Sequence, residues 1–187
     1  MEKRISLPLK EDVILDLKAG DKVLLSGTIY TGRDAAHKRM IEALNKGEDL
    51  PIDINGQVIY YVGPCPAKEN EVIGSCGPTT SGRMDVYTPA ILEQGLKGMI
   101  GKGERSKSVI ESMKKNKAIY FTAIGGAGAL LADRVKAAEV VAYNDLGAEA
   151  IYKLEVEDFP VIVTIDCEGN NLYDTQKERY KELLNQK

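Results

Sequence analysis

Tryptophan is absent from the 187 residues, phenylalanine occurs twice and histidine once. Few aromatics, with a net charge of −3 spread over interspersed acids and bases, argue against a nucleic-acid groove or a membrane-binding face. No apolar run approaches the roughly 18 residues of a membrane span, and no secretory leader pattern opens the chain. A cytoplasmic protein with a small-molecule or protein partner is therefore expected. The three cysteines, Cys65, Cys76 and Cys167, form no CxxC pair, which speaks against a disulfide framework or a zinc site. The close spacing of ferredoxin-type cluster ligands is missing as well, so no metal is assigned to this chain.

What the sequence does hold is one dense polar run, Ser75-Cys76-Gly77-Pro78-Thr79-Thr80-Ser81-Gly82-Arg83-Met84-Asp85. Arginine presents a planar fork matched to a carboxylate, and the hydroxyls donate or accept. A small anion fits this chemistry.

Apolar segments that end in glycine loops set the architecture. Lys22–Tyr30 reads as a strand leading through Thr31-Gly32-Arg33-Asp34 into a helix over Ala35–Asn45. Val58–Val62 reads as a strand, followed by the long polar stretch and a helix from Thr88 to Leu96 with Pro89 in its first turn. Gly98–Arg105 leads to a helix opening at Ser106, and Ala118–Ile124 runs through Gly125-Gly126-Ala127-Gly128 to a short helix over Ala129–Val135. Three further strands are expected over Glu139–Tyr143, Ala150–Val156 and Pro160–Ile165, with a closing helix over Thr175–Leu184. Strands outnumber a simple alternation, which favours a single mixed three-layer α/β domain over residues 1–187.

At the four junctions, helix N-termini offer amide donors and glycines let a ligand approach the backbone. Arg33, Arg83 and Lys102 each stand at such a junction, and three cations suit a dicarboxylate. The bland readings are a solvent-exposed turn for Lys102 and close helix packing for the 125–128 glycines, which lack the GxGxxG spacing. His37 shares a helix face with Arg33 and either orients a substrate or is structural.

The ordered set Gly32-Arg33-Asp34-Ala35-Ala36-His37, Gly77-Pro78-Thr79-Thr80-Ser81-Gly82-Arg83-Met84-Asp85 and Gly101-Lys102-Gly103-Glu104-Arg105-Ser106 resembles the β subunit of class I iron–sulfur fumarate hydratases and L-tartrate dehydratases. Gly147–Ile151 and Phe159-Pro160 extend the similarity, which runs from about Leu7 to Tyr173. The resemblance implies a swivelling β/β/α domain that acts as half of a hydro-lyase. Its partner, an α subunit that carries a [4Fe-4S] cluster with one open iron, would join it in an α2β2 heteromer.

Carried over by motif, Arg33, Arg83 and Lys102 bind the substrate carboxylates, Thr79 is the base, and Thr80 is a binding neighbour. Lys102 is expected to activate the Thr79 hydroxyl. Fumarate hydration to L-malate is the first choice. Tartrate dehydration or mesaconate hydration is the second, followed by a non-enzymatic anion-binding module or a metal-independent enzyme acting alone.

Overall fold

The computed structural model describes residues 2–124 and 126–185, so Gly125 of the expected glycine loop lies outside them. Seven strands form one mixed sheet: β1 (Glu2–Ser6), β2 (Lys22–Thr31), β3 (Val58–Tyr60), β4 (Gly98–Gly101), β5 (Ile119–Thr122), β6 (Val135–Ala142) and β7 (Ile151–Ile165). The helices are α1 (Glu11–Asp16), α2 (Asp34–Asn45), α3 (Thr88–Glu93), α4 (Lys107–Asn116), α5 (Gly128–Ala132) and α6 (Leu172–Asn185). None of the described helices is long and apolar enough to cross a membrane.

Strands β1 to β5 are parallel to their neighbours, whereas β7 runs antiparallel to β2, β5 and β6. Because β7 pairs with β2 along one edge and with β5 along the other, strands β2, β3, β4, β5 and β7 close into a ring. Side chains alternate across the pleat. Val58, Tyr60, Ile100, Ile119 and Phe121 point into an inner core with Leu25, Phe159 and Val163. Their neighbours Ile59, Tyr61, Met99 and Tyr120 point outward to a second core. That outer core is covered by Ala36 and Met40 of α2, Ile91 and Leu92 of α3, and Val109 and Met113 of α4. The curled sheet thus supplies two β layers and α2, α3 and α4 a third, in agreement with the expected mixed α/β class.

Several boundaries differ from the expectation. The two strands expected over 150–156 and 160–165 are one 15-residue strand. The break signal at Glu157-Asp158 is a bulge, in which both residues oppose Ser26 of β2 and Asp158 takes φ 50°. Residue Val135, expected in a helix, starts β6 and pairs with Val156. The expected helix to Leu96 stops at Glu93. Short and charged, β1 and α1 were not expected at all; each presents little periodic apolar signal.

Candidate active site

Three parallel strands, β2, β3 and β4, deliver their carboxyl ends to one edge of the sheet, the place where open α/β architectures bind ligands. Gly32-Arg33 follows β2, Tyr61 follows β3 and Lys102 follows β4. Their ladder continues past the strands: Gly32 N donates to Tyr60 O at 3.0 Å and Tyr61 N to Ile100 O at 2.8 Å.

The polar run returns to this edge from the long 61–80 connection. Thr79 N donates to the Tyr61 carbonyl at 2.8 Å. Thr80 pairs with Lys102 in an isolated parallel bridge, Ser81 N donates to Lys102 O at 2.9 Å, and Lys102 N donates to Ser81 Oγ at 3.1 Å. Residues 81–84 then coil into a single 3₁₀ turn. That turn carries Arg83 back over Thr79, where Nη2 donates to Thr79 Oγ1 at 2.8 Å.

The same Arg83 nitrogen lies 3.3 Å from Asp34 Oδ2, and Arg33 Nε lies 4.0 Å from that oxygen. Arg33 Nη2 also faces Glu149 Oε1 at 3.4 Å, while its Nε is buried without a hydrogen-bond partner. Two guanidinia are therefore held side by side by acids that leave donor capacity open. Thr79 is half-buried, and Thr80, Arg83 and Lys102 are exposed. The sequence-predicted residues Arg33, Thr79, Thr80, Arg83 and Lys102 thus share one surface, with one difference: the cation on the Thr79 hydroxyl is Arg83, where the sequence reading expected Lys102.

His37 lies beneath this surface. It is buried, its Nδ1–H donates to the Arg33 carbonyl at 2.8 Å, and its ring meets Tyr61 edge-on at 5.4 Å. Burial pushes its pKa down to about 4. A neutral ring tied to the backbone suits support better than proton transfer.

The helix N-termini contribute less than expected. At α4, Asp85 Oδ2 accepts from Ser106 N at 2.6 Å and Ser106 Oγ accepts from Val109 N at 3.4 Å. At α2, Glu149 Oε2 accepts from Ala35 N at 3.2 Å. These amides are engaged by the chain itself, so side-chain cations rather than free helix ends characterise the site. At the fourth junction, a Cβ on Gly128 would lie 2.4 Å from Ser75 Oγ. Close packing accounts for that glycine.

Asp85 and Arg105, quoted within the runs but given no role from sequence, form a buried ion pair with Nε to Oδ1 at 2.7 Å. Removing one partner of such a pair costs about 3–5 kcal/mol. A gap of 20 residues with no periodicity hides this pairing from a sequence reading.

An iron–sulfur cluster does not fit this chain's own thiols. Cys76 Sγ lies against Gly128 O and Cys167 Sγ against Ile14 O, both buried, while Cys65 is exposed. Burial pushes the Cys76 thiol up to about 12. Among the described residues, no group of three or more His, Cys, Asp or Glu side chains converges as a metal site. A concavity of about 560 Å³ between residues 65–75 and α5 is lined by none of the five site residues.

The family described as Fumarase C-terminus matches residues 1–176. "Fumarate hydratase class I, aerobic" of Escherichia coli K12 is 41% identical over 173 residues, covering 90% of this chain and 32% of the relative. "Fumarate hydratase 2" of Leishmania major is 42% identical over 156 residues, covering 82% of this chain and 28% of the relative. The chain thus spans about a third of the length of these fumarate hydratases. "Putative L(+)-tartrate dehydratase subunit beta" of Methanocaldococcus jannaschii is 41% identical over 192 aligned positions, covering 100% of this chain and 98% of the relative.

Proposed function

Since this chain belongs to the Fumarase C-terminus family, we propose that it is the β subunit of a hydro-lyase that interconverts fumarate and L-malate. A separate α subunit, joined in an α2β2 assembly, brings the [4Fe-4S] cluster and the chemistry at the substrate hydroxyl. The subunit name of the M. jannaschii relative supports a two-chain arrangement.

The observation that carries this reading is the 2.8 Å contact between Arg83 Nη2 and Thr79 Oγ1, at the strand edge shared with Arg33 and Lys102. In the dehydration direction a proton leaves C3 of malate and negative charge builds on the adjacent carboxylate. Arg33, Arg83 and Lys102 clamp the carboxylates and stabilise that charge. A neutral threonine hydroxyl is a weak base, and a guanidinium donating to its oxygen favours the ionised form. Thr79, in that ionised form, takes the C3 proton and becomes a neutral hydroxyl; Thr80 binds beside it.

L-tartrate dehydration is the second reading, favoured by the end-to-end match to the M. jannaschii relative. Anaerobic hydration of fumarate and mesaconate, and dehydration of L-tartrate, by the chain alone and with a cluster-bearing α subunit, tests both. Activity in the mixture alone is expected, and it names the substrate. Activity of the chain by itself, or none in the mixture with an intact cluster, overturns the proposal.

A further inference from the structure

None of the roles above uses Arg105, although its guanidinium is fully enclosed, with side-chain exposure of 0%. Well-packed apolar residues can replace a buried ion pair without loss of stability, so stability alone does not account for a charge enclosed here. Asp85, Tyr61 and Tyr120 around Arg105 each lead to a segment that bears a site residue.

Its Nη2 donates to Thr88 Oγ1 at 2.8 Å and its Nε to Asp85 Oδ1 at 2.7 Å. Asp85 closes the 3₁₀ turn that carries Arg83 and also holds Ser106 N, beyond Lys102. The guanidinium carbon lies 5.3 Å from the Tyr61 ring and 5.0 Å from the Tyr120 ring, a cation between two aromatic faces. Tyr61 accepts the Thr79 amide and packs on His37, which holds the Arg33 carbonyl. The Tyr120 hydroxyl donates to Gly103 O at 2.9 Å and lies 2.9 Å from Ser81 Oγ, which also accepts from Lys102 N.

We infer that Arg105 is a positioning residue: its planar fork and its two aromatic contacts set the loops of Arg33, Thr79, Arg83 and Lys102 in register. The inference rests on the hydro-lyase reading for its catalytic consequence and on the fold alone for its structural one. Lysine cannot reproduce a fork that binds Asp85 and Thr88 together. A shift of about 1 Å in catalytic geometry lowers rate by about a hundredfold.

The test compares Arg105→Lys and Tyr120→Phe with the unaltered chain. Hydrogen–deuterium exchange is measured on the full chain, and kcat and KM on the complex with the cluster-bearing α subunit. In Arg105→Lys, amides of residues 77–87 and 101–106 exchange at least about tenfold faster while those of β2 and β7 stay at the unaltered rate, and kcat falls about a hundredfold without rescue by the retained charge. If Arg105→Lys does not fold, Tyr120→Phe decides, since it keeps the ring and deletes one hydroxyl. Faster exchange at 101–104 with kcat about fivefold lower supports the role. Unchanged exchange in a folded Arg105→Lys, or in Tyr120→Phe where that variant decides, overturns it. A kcat within about twofold of the unaltered complex does so too. If the unaltered complex itself shows no hydro-lyase activity, the functional reading fails and the exchange measurement alone decides the positioning role.

Discussion

Arg83 and Thr79 stand one 3₁₀ turn apart, and the turn folds the guanidinium onto the hydroxyl so that Nη2 donates to Oγ1 at 2.8 Å. The same nitrogen reaches Asp34 at 3.3 Å, which ties the polar loop to the start of α2. A charged donor on the threonine oxygen differs from the usual environment of a surface threonine, and it gives each residue a separable experimental signature.

Arg83→Lys keeps the charge but loses the planar guanidinium, whose Nη2 serves both Thr79 and Asp34. We expect kcat/KM of the assembled enzyme to fall about a hundredfold. Steady-state hydration kinetics check this, and near-normal values would make Arg83 a structural residue.

Thr79→Val preserves shape and removes the hydroxyl. Turnover should drop by about a thousandfold or more with the fold unchanged, while Thr80→Val, one residue on and exposed, should lose far less. Circular dichroism and paired rate measurements distinguish the two; equal losses would remove Thr79 from its assigned role.

Lys102→Met abolishes turnover if the ammonium stabilises charge on the substrate carboxylate, yet it leaves the backbone bridge to Thr80 intact. Calorimetric titration with a dicarboxylate should still detect binding through Arg33 and Arg83. Retained turnover would refute the role.

His37 makes stability depend on pH. Its pKa is 6.5 in the unfolded chain and about 4 in the fold, so as pH falls through this window the unfolded state binds a proton first. The stabilising contribution is full above the upper value and is lost toward the lower one, by up to about 3 kcal/mol in total. Urea unfolding across that range checks this, and His37→Gln should flatten the dependence.

Gly101→Ala should destabilise by about 3 kcal/mol or more, because the added Cβ would sit 1.9 Å from Ser81 Oγ and 3.0 Å from the Tyr61 ring. Thermal unfolding reads the loss, and a second change, Ser81→Ala, should recover part of it by removing the nearer atom.

The main elements were legible because period and punctuation agree over them. Val58, Ile59 and Tyr60 read as a strand since both faces are buried, as parallel central strands require. Ser106 was legible as a helix start because its hydroxyl accepts Val109 N. By contrast β6 is an edge strand, mostly exposed, whose partner is β7, so no apolar alternation marks its bounds. The 157–158 break read as a loop because a bulge and a turn share the same local composition.

The sequence by itself determined which groups the candidate site offers: two threonines and three cations in glycine-rich junctions after strands, where residue type and local spacing carry the signal. Tertiary structure decided which groups touch. Asp34 reaching Arg83 and Asp85 clasping Arg105 depend on where β2, β3 and β4 end relative to one another. That placement is set by the parallel registers of β2 with β3 and of β3 with β4 and by the closure of the sheet through β7, whose pairing with β2 joins residues more than a hundred positions apart; long-range pairing of this kind leaves no mark in local periodicity.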